Sequence, residues 1–117
     1  MSKTLIWFFA TALAFGCGGA PKPEARLSSD EGAIRGAKEG GADNVPEAQL
    51  ELTLATEQRQ KALDLIQSGD NHRAEMMLAR SEADAELALA LARAAAAKAD
   101  AQRAEDSVES LKRKADQ

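Results

Sequence analysis

The chain has 117 residues, a formal net charge of −4 and no tyrosine; its only aromatics are Trp7, Phe8, Phe9 and Phe15, all near the N-terminus. That length is enough for one small domain. The missing aromatics beyond residue 15 argue against base-stacking recognition of nucleic acid, and the acidic balance against binding to nucleic acid or an anionic membrane surface.

Residues 1–16 read as an export signal: Lys3 supplies the positive start, and residues 4–15 form an apolar run that ends in small residues. Twelve apolar residues fall short of the roughly 20 that a spanning helix needs. Cys17 is the only cysteine, which excludes an internal disulfide. Leu13-Ala14-Phe15-Gly16-Cys17 resembles the cleavage signal of bacterial lipoproteins, in which the cysteine is lipidated and becomes the first mature residue. Gly16 fits that pattern, whereas Ala14 and Phe15 depart from it, with the leucine one position early. The resemblance implies a membrane partner engaged through lipidated Cys17, and Gly18 after it implies sorting to the periplasmic face of the outer membrane. Two alternatives stay open, a retained signal anchor and ordinary cleavage after Ala20 that releases a soluble periplasmic protein.

Residues 17–27 form the lipidated cysteine and a flexible tether, because Gly, Pro and charge occur there without periodicity. A helical domain is expected over residues 28–117, with helices at about 29–39, 45–67 and 71–116. Ser28 and Glu31 have capping-box spacing, and Gly40-Gly41 ends the first helix. Gly32 and Gly36 weaken it, so it either packs closely through those glycines or is the loosest element. Asn44 is the expected N-cap of the second helix, with Pro46 in its first turn. Gly69 closes that helix, and Asp70 or Asn71 caps the next.

So short a turn makes the second and third helices antiparallel neighbours. Counting outward from Gly69 sets Leu63, Leu65 and Ile66 level with Met76, Met77 and Leu78. It sets Leu50, Leu52 and Leu54 level with Leu87, Leu89 and Leu91. Two leucine-rich layers are expected, separated by a polar belt near Arg59 and Arg80. The third helix contains neither Gly nor Pro, and 11 of the 19 residues from 83 to 101 are alanine, the strongest helix former. It outruns the second helix. Beyond that point Ala97, Ala101, Ala104, Val108, Leu111 and Ala115 recur at alternating spacings of four and three, the period of a coiled-coil face. The fold class expected is all-α: a helical hairpin or a small three-helix up-down-up bundle, with the long C-terminal helix overhanging as a coiled-coil-like extension. Ala101, Ala104, Val108, Leu111 and Ala115 form the candidate partner-binding seam, for an envelope protein or for a second copy.

No enzyme signature emerges. His72 stands alone at a helix start, suited to a surface or capping role. Glu82, Asp84 and Glu86 read as a solvated acidic face, without the oxygen-rich loop that calcium requires. Met76 and Met77 read as packing, and the serines lack a base partner. No catalytic residue, metal site, cofactor or small-molecule substrate is expected.

Three groups of residues carry a family resemblance: Ala33-Ile34, Ala37, Gly41-Ala42 and Val45-Pro46; then Ala62-Leu63, Gly69-Asp70 and Ala74; then Ser81 and Ala83-Asp84-Ala85-Glu86-Leu87-Ala88. Together they resemble the Ala-rich helical domain of bacterial lipoproteins known as domain of unknown function 4398, over about residues 30–112. The resemblance implies a non-enzymatic, usually lipid-anchored periplasmic module that serves as a scaffold or adaptor. A self-associating rod with a structural envelope role is the alternative.

Overall fold

The computed structural model describes residues 19–117. Three helices occur in order: α1 (Glu24–Glu39), α2 (Pro46–Gln67) and α3 (Asn71–Ala115), with a single 3-10 turn, Ala42–Asn44, between the first two. Helices α1 and α3 ascend and α2 descends, so the chain is an up-down-up bundle. Forty-five residues make α3 about 67 Å long, twice the roughly 33 Å of α2. The bundle therefore encloses only the first half of α3.

The turn between α2 and α3 forms as its residues dictate. Gly69 takes a left-handed φ of 82°. Its N–H bonds the Ile66 carbonyl at 3.1 Å, and the Asp70 N–H bonds the Leu65 carbonyl at 2.9 Å, the paired bonds of a Schellman stop. The Asp70 carboxylate then accepts from the Arg73 N–H at 3.1 Å and from the Arg73 guanidinium at 2.6 Å. These bonds cap α3 and hold the Asp70 carboxyl below its ordinary range.

The other two helix starts differ from expectation. The first helix begins at Glu24, so residues 24–27 are helix rather than tether, and Ser28 lies within it instead of capping it. Pro23, which has no N–H to leave unsatisfied, occupies the N-cap position, and the Leu27 N–H bonds its carbonyl at 2.9 Å. The cap of α2 is Val45, in extended conformation and without a side-chain bond; Asn44 ends the 3-10 turn instead.

The core consists mostly of alanine. Of the twelve buried apolar residues among those described nine are Ala, and the others are Ile34, Leu52 and Leu78. On α3 the buried positions are Ala74, Leu78, Ser81, Ala85, Ala88 and Ala92, and on α2 Ala48, Leu52, Ala55 and Ala62. These positions recur at heptad spacing, which sets neighbouring helices nearly parallel in axis. Small side chains let the backbones approach closely. Buried Ser81 shows how closely, since its hydroxyl donates to the Ala55 carbonyl of α2 at 2.7 Å.

The level of the helices is as expected, but the faces are not. Leu50, Leu54, Leu87 and Met76 are exposed, whereas Leu52 and Leu78 are buried and Leu63, Leu65, Ile66, Met77, Leu89 and Leu91 are half-buried, so each leucine layer forms only in part. Leucine follows leucine at spacings of two in 50–54 and 87–91, and a helix turns such residues to different sides.

The first helix docks mainly on α3 and is not loose. It buries Asp30, Ile34 and Ala37. Gly32 and Gly36 face open space, whereas a Cβ at Gly40 would meet the Leu89 side chain. Two ionic contacts fix its rotation. The Arg59 guanidinium of α2 donates to fully buried Asp30 at 2.9 Å and lies 3.5 Å from Glu31. Glu82 of α3 accepts from Arg26 at 2.8 Å and from the Ser29 hydroxyl.

Candidate partner-binding surface

The inward seam of α3 ends at Ala92. At the same heptad spacing its continuation reads Ala95, Ala99, Gln102, Asp106, Glu109 and Arg113, so it turns polar within about three turns. Nothing in the described chain covers α3 beyond this point. Surface pairs hold the free half as helix, Arg103 with Asp100 and Arg113 with Glu109 at 3.2 Å.

The five seam residues expected from the sequence, Ala101, Ala104, Val108, Leu111 and Ala115, are all exposed on this free half. Val108 is 52 % and Leu111 64 % exposed. The seam also runs further back than expected. At the same alternation it passes through Ala97, Ala94, Ala90, Leu87, Ala83 and Arg80 to Met76, and every one of these residues is exposed. All four large apolar residues that α3 exposes (Met76, Leu87, Val108 and Leu111) lie on this one seam. It follows the back of α3, away from the face that α1 and α2 cover. Leu87 conceals the extension in the sequence, because its bulk and its level beside Leu50–Leu54 read as core, whereas it is exposed.

A shallow groove lies beside the seam at the turn end of the bundle, between Lys61 and Leu65 of α2 and Arg73, Met76, Met77 and Arg80 of α3. Its floor is apolar, and its edges carry Lys61, Arg73 and Arg80 together with Asp64 and Ser68. Met76 is thus a surface residue and Met77 is half-buried, rather than both packing inside.

The acidic cluster is only partly solvated. Glu82 faces α1, and the Ser29 hydroxyl and then Arg26 hold its carboxyl below its ordinary value of 4.5. Asp84 accepts from Gln58 of α2 at 2.6 Å, and Glu86 alone is exposed. Among the described residues no group of three or more His, Cys, Asp or Glu side chains is placed to hold a metal, and no helix is long and apolar enough to cross a membrane. His72 is exposed at the start of α3. Cys17 and the export signal expected over residues 1–16 lie outside the described residues.

The N-terminal approach is fixed at one end of the bundle. The Asn71 side-chain amide donates to the Ala20 carbonyl at 2.6 Å. The chain therefore enters beside the α2–α3 turn, at the opposite end from the free half of α3.

Comparison with known proteins adds no relative: no family model, no curated protein and no solved structure matches the chain.

Proposed function

We propose that this protein is a non-enzymatic scaffold or adaptor of the bacterial envelope, tied to the periplasmic face of the outer membrane by lipid on Cys17. The anchor rests on the apolar run before a lone cysteine and on the resemblance to Ala-rich lipoprotein domains. The observation that carries the scaffold role is the separation of ends. Residue 20 is bonded to the turn at Asn71, while the uncovered seam extends past the far end of the bundle. A chain held at the first end presents the second to partners. The bundle stands close to its attachment point, because only residues 18–23 separate Cys17 from α1.

Replacing Cys17 by alanine tests the anchor. The expected result is loss of metabolic labelling by palmitate and a move from the membrane fraction to the soluble periplasm. Unchanged labelling and fractionation would rule the lipid anchor out.

The alternative of a self-associating rod is favoured by one specific observation: the apolar seam runs without interruption, apart from Arg80, from Met76 to Ala115. A helical face of that length is suited to a second long helix.

A further inference from the structure

The α2–α3 hairpin has two faces, and α1 covers one of them. On α3 the covered face carries Glu82, which accepts from Arg26 of α1. Arg80 lies on the other side of buried Ser81, because a helix turns residues two apart to different sides. On that uncovered face lies the groove of Leu65, Met76 and Met77, with Lys61 on its α2 wall and Arg80 on its α3 wall.

The groove is short and bounded at both ends. Arg73 and Arg80 mark its extent along α3, about 10 Å by the helical rise. The turn at Gly69 closes one end. At the other the Gln58 amide of α2 donates to Asp84 of α3 at 2.6 Å and bridges the two helices. The volume is about 560 Å³, a size common among small-molecule sites. A docked helix would find only two turns of contact between the bridge and the turn, too few to hold a helix in place.

The chemistry of the lining narrows the occupant further. Leu65 and Met77 are half-buried and Met76 is exposed, so the floor is hydrocarbon and thioether, and unbranched Met side chains adapt to an irregular chain. No aromatic occurs among the described residues to stack on a ring. The Ser68 hydroxyl already donates to the Leu65 carbonyl at 2.9 Å. The floor therefore offers nothing to the polar groups of an extended peptide, whereas an alkyl chain has none to satisfy.

The charges are partly spoken for. Arg73 is paired with Asp70 at 2.6 Å, and Asp64 accepts from Gln60 at 3.2 Å. Lys61 and Arg80 are exposed, and neither forms an ion pair among the described residues. Each stands about one turn from the Gln58–Asp84 bridge, so the two cations flank the same end of the groove. Two unpaired cations at one end of an apolar trough match an anionic head on an alkyl tail.

We propose that the groove binds a single-chain alkyl carboxylate, its head between Lys61 and Arg80 and its tail along Leu65, Met76 and Met77 toward the turn. Arg80, the one charged residue that interrupts the outward seam, thereby acquires a role. This goes beyond the anchored-scaffold reading and does not depend on Cys17.

The test uses the full, unlipidated chain with its methionine methyl groups isotopically labelled and sodium decanoate below its micelle-forming concentration. The methyl resonances of Met76 and Met77 should move saturably while that of Met1 stays, and butanoate should leave all three unmoved. Lys61→Glu/Arg80→Glu should weaken decanoate about tenfold, and the same variant should bind decylammonium more tightly than the wild type does. Both positions are exposed, so the variant should keep the helix content of the wild type by circular dichroism. Absence of saturable movement at Met76 and Met77 would overturn the proposal, as would movement of Met1 alone or equal decanoate affinity in the charge-reversed chain. Movement of Met76 and Met77 on dilution without ligand would show a second copy in the groove and would overturn it too.

Discussion

The two halves of α3 are similarly rich in alanine and form one continuous helix, yet only one is enclosed; the enclosed half carries six Leu and Met residues where the free half has one Val and one Leu. From Ala74 to Ala92 its inward seam is buried beneath α1 and α2; from Arg93 onward the helix is almost wholly exposed. The difference is not helix propensity, since alanine continues well past the boundary. It lies in which seam stays apolar. The inward seam acquires Gln102, Asp106, Glu109 and Arg113 beyond the bundle, whereas the outward seam keeps Ala, Val and Leu to the end. A helix can thus mark where its own domain stops without a break in its backbone.

The largest effect expected within the enclosed half comes from Arg59→Ala. It leaves Asp30, fully buried, without its cation, and breaking a buried pair in this way costs about 3–5 kcal/mol. Asp30→Ala should cost less, because the Arg59 side chain is 24 % exposed and can turn to water. Urea unfolding of the two variants checks the order, and equal losses would argue that the charge pair does not set the energetics of α1 docking.

Next in size is a contrast between two leucines. Leu78 is fully buried and Leu111 is 64 % exposed. Leu78→Ala should cost about 2–5 kcal/mol by emptying space between the helices. Leu111→Ala should alter the stability of a single chain by no more than about 0.5 kcal/mol. Thermal unfolding at low protein concentration measures both, and a large loss at Leu111 would mean that the free half is not free.

The smallest effect is acid sensitivity. The Glu82 carboxyl is held below its ordinary 4.5 by Ser29 and Arg26, so the folded state binds its proton less readily than the unfolded chain. The stabilisation is complete above that ordinary value and is lost as pH falls through the lowered one. Hydrogen exchange in α1 should therefore accelerate below about pH 4.5, and Glu82→Gln should flatten that dependence.

Local rules made much of this legible. Gly69-Asp70 announced its turn because a left-handed residue followed by a helix cap has few other uses. The absence of Gly and Pro after Gly69 announced α3, and its four-and-three spacing announced the seam at Ala101, Ala104, Val108, Leu111 and Ala115. What stayed hidden was pairwise and long-range. Nothing local to Asp30 or Arg59 says that they meet across two helices, nor that the Ser29 hydroxyl bonds Glu82. The start of α1 was missed because Ser28-to-Glu31 spacing is a stronger local signal than Pro23 alone. The leucine layers form only in part for a different reason. Bulk alone does not mark burial in a protein whose fully buried interior is mostly alanine and whose Leu50, Leu54, Leu87 and Leu111 are exposed.

The bond between Asn71 and Ala20 has one more implication. It places the entry of the chain at the turn end of the bundle, where α3 begins. A single unbroken helix of about 67 Å then leads from that entry to the far end of the chain. The two ends of the described chain are held apart by the length of that helix.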